Sequence, residues 1–496
     1  MTKVDNRSIL KWNSINQLVN LGSKFVISVI LQRILQPADF GIIANILVFA
    51  SITEIFIDSG FQSSIIQAKE IPPKALSTIF YLNIGIGATC TILLYGSSHL
   101  IGTFYNSPLL TSVARLLSVI YLLQSFVLVQ RAIMIKEHLF KVIAIVDISS
   151  NMLAGIIAVI MAVNGWNVWS ITAMYISQIF IANCLIWIKG GWWPRLEFDL
   201  QSIKGLWRYG SKVLAGGFLV FANNRIDLLM TGRFFSASQQ GLYSRGKDYG
   251  TMPSGIIIGI ISKSYFPIFS RLQDEAGQLK DNYFRALGAM SFIAGLLFPL
   301  LFLCSGDAVA MVLKEKWFGM IPVLQLFVIL SCFQVFNSVN INFLAGTGRS
   351  KTNLATFAIV GPLRVISVVI YFLSTPEPSL TVVSSILVLF SFAETSLSFY
   401  FISRIKSYPQ KKQYLTAYGD LGLGWVISIS LFLFTEVLFH PRFSPFVHML
   451  VCSFFYFSIY LFICFKMQNP YLRSWLRSIP ALRKYLDKST ANVPPL

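Results

Sequence analysis

Uninterrupted apolar runs of about 20 residues recur from residue 14 to residue 465, and that length crosses the hydrocarbon core of a bilayer at 1.5 Å per helical residue. Inside a membrane every backbone N–H and C=O must be bonded within the protein, so a span of this kind is a helix. The expected fold class is therefore an all-α polytopic membrane protein. Fourteen spans are read, near 14–34, 41–60, 78–101, 110–131, 142–163, 168–188, 210–231, 250–270, 286–304, 321–343, 354–374, 379–402, 420–438 and 446–465. Charged residues make up only 12% of the chain, against roughly 25% in soluble domains. No polar stretch is long enough to fold as a soluble domain.

An even number of spans puts both termini on one side. With Arg33, Arg131 and Lys212 at span ends counted with the adjoining loops, segments on the N-terminal side hold 28 of the 40 lysines and arginines, the opposite loops hold 7, and 5 fall inside spans. Positive loops stay in the cytoplasm, so both termini are expected there. The net charge of +19 is then mostly topology, and short basic loops without a soluble module exclude a nucleic-acid partner. The first apolar run reads as a retained helix rather than a signal peptide. In the tail, Trp475, Ile479, Leu482 and Leu486 repeat at helical spacing among basic residues, as in a helix lying on an anionic leaflet.

Catalytic and metal signatures are lacking in the sequence. The six cysteines sit in apolar runs at no metal-like spacing and read as buried thiols. The four histidines are dispersed. Asp39-Phe40-Gly41 spells a kinase tripeptide without the motifs that accompany it, and residues 346–352 lack the spacing of a phosphate loop. Neither an enzyme nor a cofactor is expected.

Arg33–Ala44 and Arg233–Ser244 share an arginine, two apolar residues and a polar stretch ending in glycine eight residues after the arginine. Ser64–Glu70 and Ser270–Ala276 form a second, weaker pair. Together they point to a duplicated bundle: an N-terminal lobe over 1–188, a linker at 189–209, a C-terminal lobe over 210–402, two added helices over 403–465 and a basic tail over 466–496. Transporters built this way bind substrate between their repeats.

An ionised side chain at mid-span costs about 2.5 to 3.5 kcal/mol on the insertion scale, so it faces protein or water. Arg115 and Lys263 lie near span ends, where long side chains reach the headgroups. Lys24, Arg225 and Arg364 lie deeper and are candidate substrate residues, together with Asn223, Asn224 and Asp227. Around Arg225, Asn223 and Asp227 are four residues apart and share a helix face with Asn224 beside them, whereas Arg225 points about 200° away from Asp227. Arg364 follows Gly361-Pro362, and proline kinks a membrane helix. The competing reading pairs Arg225 with Asp147 and Arg364 with Glu394, making these carboxylates ion-pair or coupling residues. Gly255 and Gly259 form a small-residue motif suited to close helix approach.

The segments LQRILQPADFGIIA, DSGFQSSIIQAKE, NNRIDLLMTGRFFSASQQGLYSRGKDYGTMP, FPIFSRLQDE and AGTGRSKTN together resemble the polysaccharide transporter family, the Wzx-type flippases of the multidrug/oligosaccharidyl-lipid/polysaccharide exporter superfamily, in its colanic-acid exporter branch. The resemblance covers about residues 10 to 420. It implies a two-lobed, V-shaped helical bundle in the bacterial inner membrane that moves a lipid-linked oligosaccharide on undecaprenyl diphosphate between leaflets for surface polysaccharide, with membrane lipids, a polymerase and a co-polymerase as partners. Lys24, Arg225 and Arg364 would then face the anionic diphosphate; Arg225 departs from the small or apolar residue the family pattern leads one to expect. A cation-coupled multidrug antiporter of the same superfamily is the alternative. A membrane polymerase or ligase would need a large outer loop, which this chain lacks.

The charge bias predicts that cysteines introduced at Asn164 and Ser236, in a background without native thiols, react with an impermeant reagent added from outside. Failure of both sites to react, with positive controls intact, would reverse the topology.

Overall fold

The structure, a computed structural model, describes residues 6–58, 61–68, 71–199, 220–405, 422–431 and 444–466. Regular structure among them is helical throughout: α1 (Asn6–Ile34), α2 (Pro37–Asp58), α3 (Phe61–Gln67), α4 (Pro73–Phe104), α5 (Pro108–Leu117), α6 (Val119–Lys136), α7 (Phe140–Val163), α8 (Val168–Lys189), α9 (residues 220–234), α10 (Ala237–Arg271), α11 (Ala276–Val312), α12 (Ile321–Gly346), α13 (Ser350–Ser374), α14 (Leu380–Ser403), α15 (Gly422–Leu431) and α16 (Pro445–Lys466), with a 3-10 turn at Glu315–Met320. Ten of these stretches are long and apolar enough to cross a membrane by length and composition. The expected seventh and thirteenth spans and the linker lie partly outside the described residues, as does nearly all of the basic tail.

The described chain forms two compact units. The first runs to Ser244 and takes in Phe372–Pro376; the second comprises Arg245–Tyr371 and the described residues from Glu377 onward. Phe372 belongs with the first because its ring lies 5.1 Å from Phe234 and 5.9 Å from Phe235. In the first unit small residues let helices approach, since a Cβ at Gly87 would press on Ser125 of α6 and one at Gly155 on Ile27 of α1. The second unit is built around α12. There Ser331 donates to the Gly250 carbonyl at 2.8 Å, Asn342 to Ser262 at 3.1 Å, and Asn340 accepts from Tyr283 at 2.8 Å.

Several sequence expectations change in detail. The fourth span is broken at Ser118, whose hydroxyl bonds the Arg115 carbonyl while Thr91 bonds that of Ser118; such side-chain bonds to backbone compete with helix continuity. Arg115, expected near the headgroups, is exposed and donates to Ser98 at 3.1 Å over the Tyr95 ring. Five cysteines are buried, but Cys184 is exposed. Gly255 meets nothing within 4 Å, so no close helix contact forms there.

The repeated segments are the two sharp corners of the first unit. At the α1–α2 corner the Asp39 carboxylate accepts the Gln36 backbone N–H at 2.9 Å; at the α9–α10 corner the Gln239 side chain accepts that of Ser236 at 3.1 Å, and the Ser236 hydroxyl accepts the Gln239 N–H at 3.3 Å. Residue 39 and residue 239 thus do the same work, each reaching back three residues to a free N–H at a helix start. The corners also meet reciprocally, because a Cβ at Gly41 would collide with the Ala237 carbonyl and one at Gly241 with the Pro37 carbonyl. This two-way contact explains the glycine in the repeat, and it accounts for Asp39-Phe40-Gly41 without phosphate chemistry.

Gly41→Leu and Gly241→Leu are each expected to lower the midpoint of thermal unfolding in detergent, by about 1 to 3 kcal/mol of overpacking. Gly22→Ala and Gly96→Ala, where a Cβ meets nothing within 4 Å, should leave it unchanged and serve as controls.

Candidate functional site

One polar series runs along α1. Asn16, Asn20, Lys24, Ser28 and Gln32 follow at intervals of four residues, each step turning about 40° round the helix, so they form a stripe about 24 Å long. Its ends are bonded: Asn20 donates to Asn16 at 2.6 Å and Gln32 to Ser28 at 2.9 Å. Lys24, at the middle, is exposed and has no hydrogen bond or ion pair among the described residues. The start of the stripe packs on α7, where Asn16 donates to Asp147 at 3.2 Å. Asp147 is also held in a two-pronged pair by Arg131 of α6, at 2.8 and 2.7 Å. Asn151 then donates to Ser23 at 2.7 Å, fixing the face of α1 against α7.

On α9, Asn223, Asp227 and Thr231 repeat at the same interval and are all buried. Asp227 accepts the Tyr243 hydroxyl of α10 at 2.7 Å, and Thr231 donates to the Asp227 carbonyl at 2.7 Å. Gln240 donates to the Leu228 carbonyl at 3.0 Å, tying the same two helices together. The buried Asn223 side-chain oxygen has no hydrogen-bond partner. Asn224 is exposed and Arg225 half-buried. Arg225 forms no ion pair with Asp147, whose two oxygens Arg131 occupies, and like Lys24 it has no partner among the described residues.

The second unit holds a separate cluster. Arg364 of α13 pairs with Glu394 of α14 at 2.7 Å, and Asn337 of α12 donates to the other carboxylate oxygen at 3.1 Å. Arg364 Nε and the Asn337 oxygen are buried without partners. Three helices are thereby tied at one carboxylate.

Of the residues marked in the sequence, Lys24, Asn223, Asn224, Arg225, Asp227 and Asp147 lie in the first unit, and Arg364 and Glu394 in the second. The Arg364–Glu394 pairing expected as an alternative is present, whereas Asp147 takes a different arginine. Arg131 went unmarked because it stands at the end of a span and counts as a loop charge. Tyr243 and Gln240 were legible only as neighbours of a corner. The four-residue interval from Asn16 to Gln32 is visible in the sequence, but as a run of neutral groups around Lys24 rather than as a buried charge.

A family model described as a polysaccharide biosynthesis protein matches residues 30–322, more than half of the 496 residues. The chain belongs to that family. As a member of it, the chain is 29% identical over 320 residues to the lipopolysaccharide biosynthesis protein WzxC of Escherichia coli, a match covering 64% of this chain and 65% of that one. It is 26% identical over 359 residues to the teichuronic acid biosynthesis protein TuaB of Bacillus subtilis, covering 68% and 73%. The chain thus spans just under two thirds of the length of the E. coli relative. In fold it is similar to lipid II flippase MurJ in an inward closed conformation, with a TM-score of 0.68 over 91% of this chain and 98% of that one, at 11% identity.

Arg364→Ala should strand the Glu394 carboxylate and lower stability by about 3 kcal/mol, with Arg364→Ala, Glu394→Gln together recovering most of it. Thermal unfolding of both single variants and the double in detergent measures this; additive losses would show that the pair does not hold the three helices.

Proposed function

We propose that this protein is a flippase that carries a lipid-linked oligosaccharide across the bacterial inner membrane for assembly into surface polysaccharide. Family membership over residues 30–322 carries the reading, and the names of its relatives agree with it. The similarity of fold to a lipid II flippase is consistent with such a cargo, a sugar on a lipid diphosphate.

In this reading the duplicated halves, 1–188 and 210–402, are two lobes that alternate access, with both termini in the cytoplasm. The protein performs no bond-making step; it supplies a path. The cargo's diphosphate must leave water, and Lys24 and Arg225 supply cations not already neutralised by a carboxylate among the described residues. At an effective dielectric of about 20, an unpaired charge at 4 Å is worth about 4 kcal/mol. Arg364 contributes less freely, because Glu394 already holds it. Asn223 and Asn224 offer donors to sugar hydroxyls, and Asp227, bonded to Tyr243, positions α9 rather than meeting the anion. A polymerase and co-polymerase receive the cargo.

Lys24→Ala and Arg225→Ala are expected to cut surface polymer at least tenfold at native protein levels, without lowering thermal stability, since neither strands a partner. Lys24→Arg should retain part of the output, because charge rather than fork geometry is what the site uses. Unchanged polymer from either alanine variant would remove that residue from the site. Efflux of cationic dyes by the purified protein in vesicles, with no movement of lipid-linked sugar, would favour a small-molecule antiporter instead.

A further inference from the structure

α16 lies antiparallel along α11, joined to it by polar contacts on both sides of Pro299. On one side the Tyr460 hydroxyl donates to the Phe292 carbonyl at 3.2 Å and that of Tyr456 to the Gly295 carbonyl. The second bond has a definite cause. Proline at 299 has no N–H to offer the carbonyl four residues earlier, and Tyr456 replaces it. Ser428 of α15 donates to the Pro299 carbonyl at 2.8 Å. Beyond the proline, His448 Nδ1 lies 2.7 Å from Asp307 Oδ2, with both side chains largely buried, and His448 Nε2 lies 3.5 Å from the Cys452 sulfur.

Four carboxylates bonded within these helices can be compared by their partners. Asp147 and Glu394 face arginines, which stay charged. Asp227 faces a tyrosine hydroxyl, a neutral donor. Asp307 alone among these four faces an imidazole, the one side chain whose charge ordinarily changes near neutral pH. We infer that Asp307 and His448 form a proton-binding site, whose occupancy changes the charge at the α11–α16 seam by one and so alters the contact that α16 makes with α11 on both sides of Pro299.

The surroundings suit that role. From α11 the imidazole faces Asp307, with Cys304 near by on the same helix; from its own helix it faces Cys452, and Tyr456 lies two turns on. α15 carries no titratable residue, and the 3-10 turn that packs on α11 carries the exposed Glu315 and the half-buried Lys316. The pair sits five residues from the end of α11 and at the fourth residue of α16, close to the helix ends and therefore to one membrane surface. On the topology proposed above, which this last point rests on, that surface is the outer one.

The test uses the full-length protein with its other histidines replaced (His99→Gln, His138→Asn, His440→Gln) and 15N-labelled histidine, followed by NMR in detergent without cargo. The expected result is a single imidazole titration between about pH 5 and pH 8, with a midpoint that moves when Asp307→Asn is added. No titration in that range, or a midpoint indifferent to Asp307→Asn, overturns the inference. Should the Asp307→Asn protein fail to fold, Asp307→Glu takes its place, and a midpoint unmoved by that substitution overturns the inference likewise. Since no cargo is present, the result stands apart from what the protein transports.

Discussion

A charged or polar side chain in an apolar helix has to be matched by another group of the protein or by water, because hydrocarbon offers neither a donor nor an acceptor. That constraint decides most of the specific contacts in this chain. Asp147 is matched by Arg131 and Asn16, Glu394 by Arg364 and Asn337, Asp227 by Tyr243, Asp307 by His448. Some matches join consecutive helices, as Arg131 with Asp147 and Tyr243 with Asp227, and others join helices far apart in sequence, as Asn16 with Asp147 and His448 with Asp307, so the polar groups fix which helices are neighbours while apolar contacts, indifferent to partner, fill the space between. The same logic extends to backbone, where the carbonyl released by Pro299 is taken up by Tyr456.

Much of this was legible in the sequence. Apolar length showed helices, and the spacing from Arg33 to Gly41, repeated from Arg233 to Gly241, marked equivalent corners before any contact was known. The physical meaning of that repeat was less accessible. A glycine eight residues after an arginine does not say that a carbonyl of the other corner will fill the space beside it, because that is a long-range contact and the pattern is local. Likewise Asp39 and Gln239 share a task through different side chains, a carboxylate and an amide, so an identity search weakens the match where the chemistry preserves it.

Pairings were harder to read than positions. The burial cost of a charge depends on depth and can be estimated from sequence, which is why Arg364 and Arg225 stood out. Which partner each finds depends on helix rotation and neighbour choice. Arg364 met the carboxylate expected of it as one alternative; Asp147 met Arg131, whose place at a span end hid it among loop charges. The interruption at Ser118 was invisible for a related reason, since the Thr91 hydroxyl that bonds its carbonyl comes from another helix.

The difference between paired and unpaired cations bears on how a site of this kind releases what it binds. An arginine already held by a carboxylate gives an incoming anion only the difference between two attractions, and the displaced carboxylate is left buried at a cost of several kcal/mol. An unpaired, exposed lysine gives its full attraction, yet water replaces the anion with little penalty on departure. Binding that is strong only where water is scarce, and weak once it returns, suits a cargo that must be taken up on one side and let go on the other. Lys24, flanked along α1 by neutral amides and hydroxyls rather than by carboxylates, has the surroundings for that exchange; Arg364, bound to Glu394 and Asn337, has those of a fixed joint.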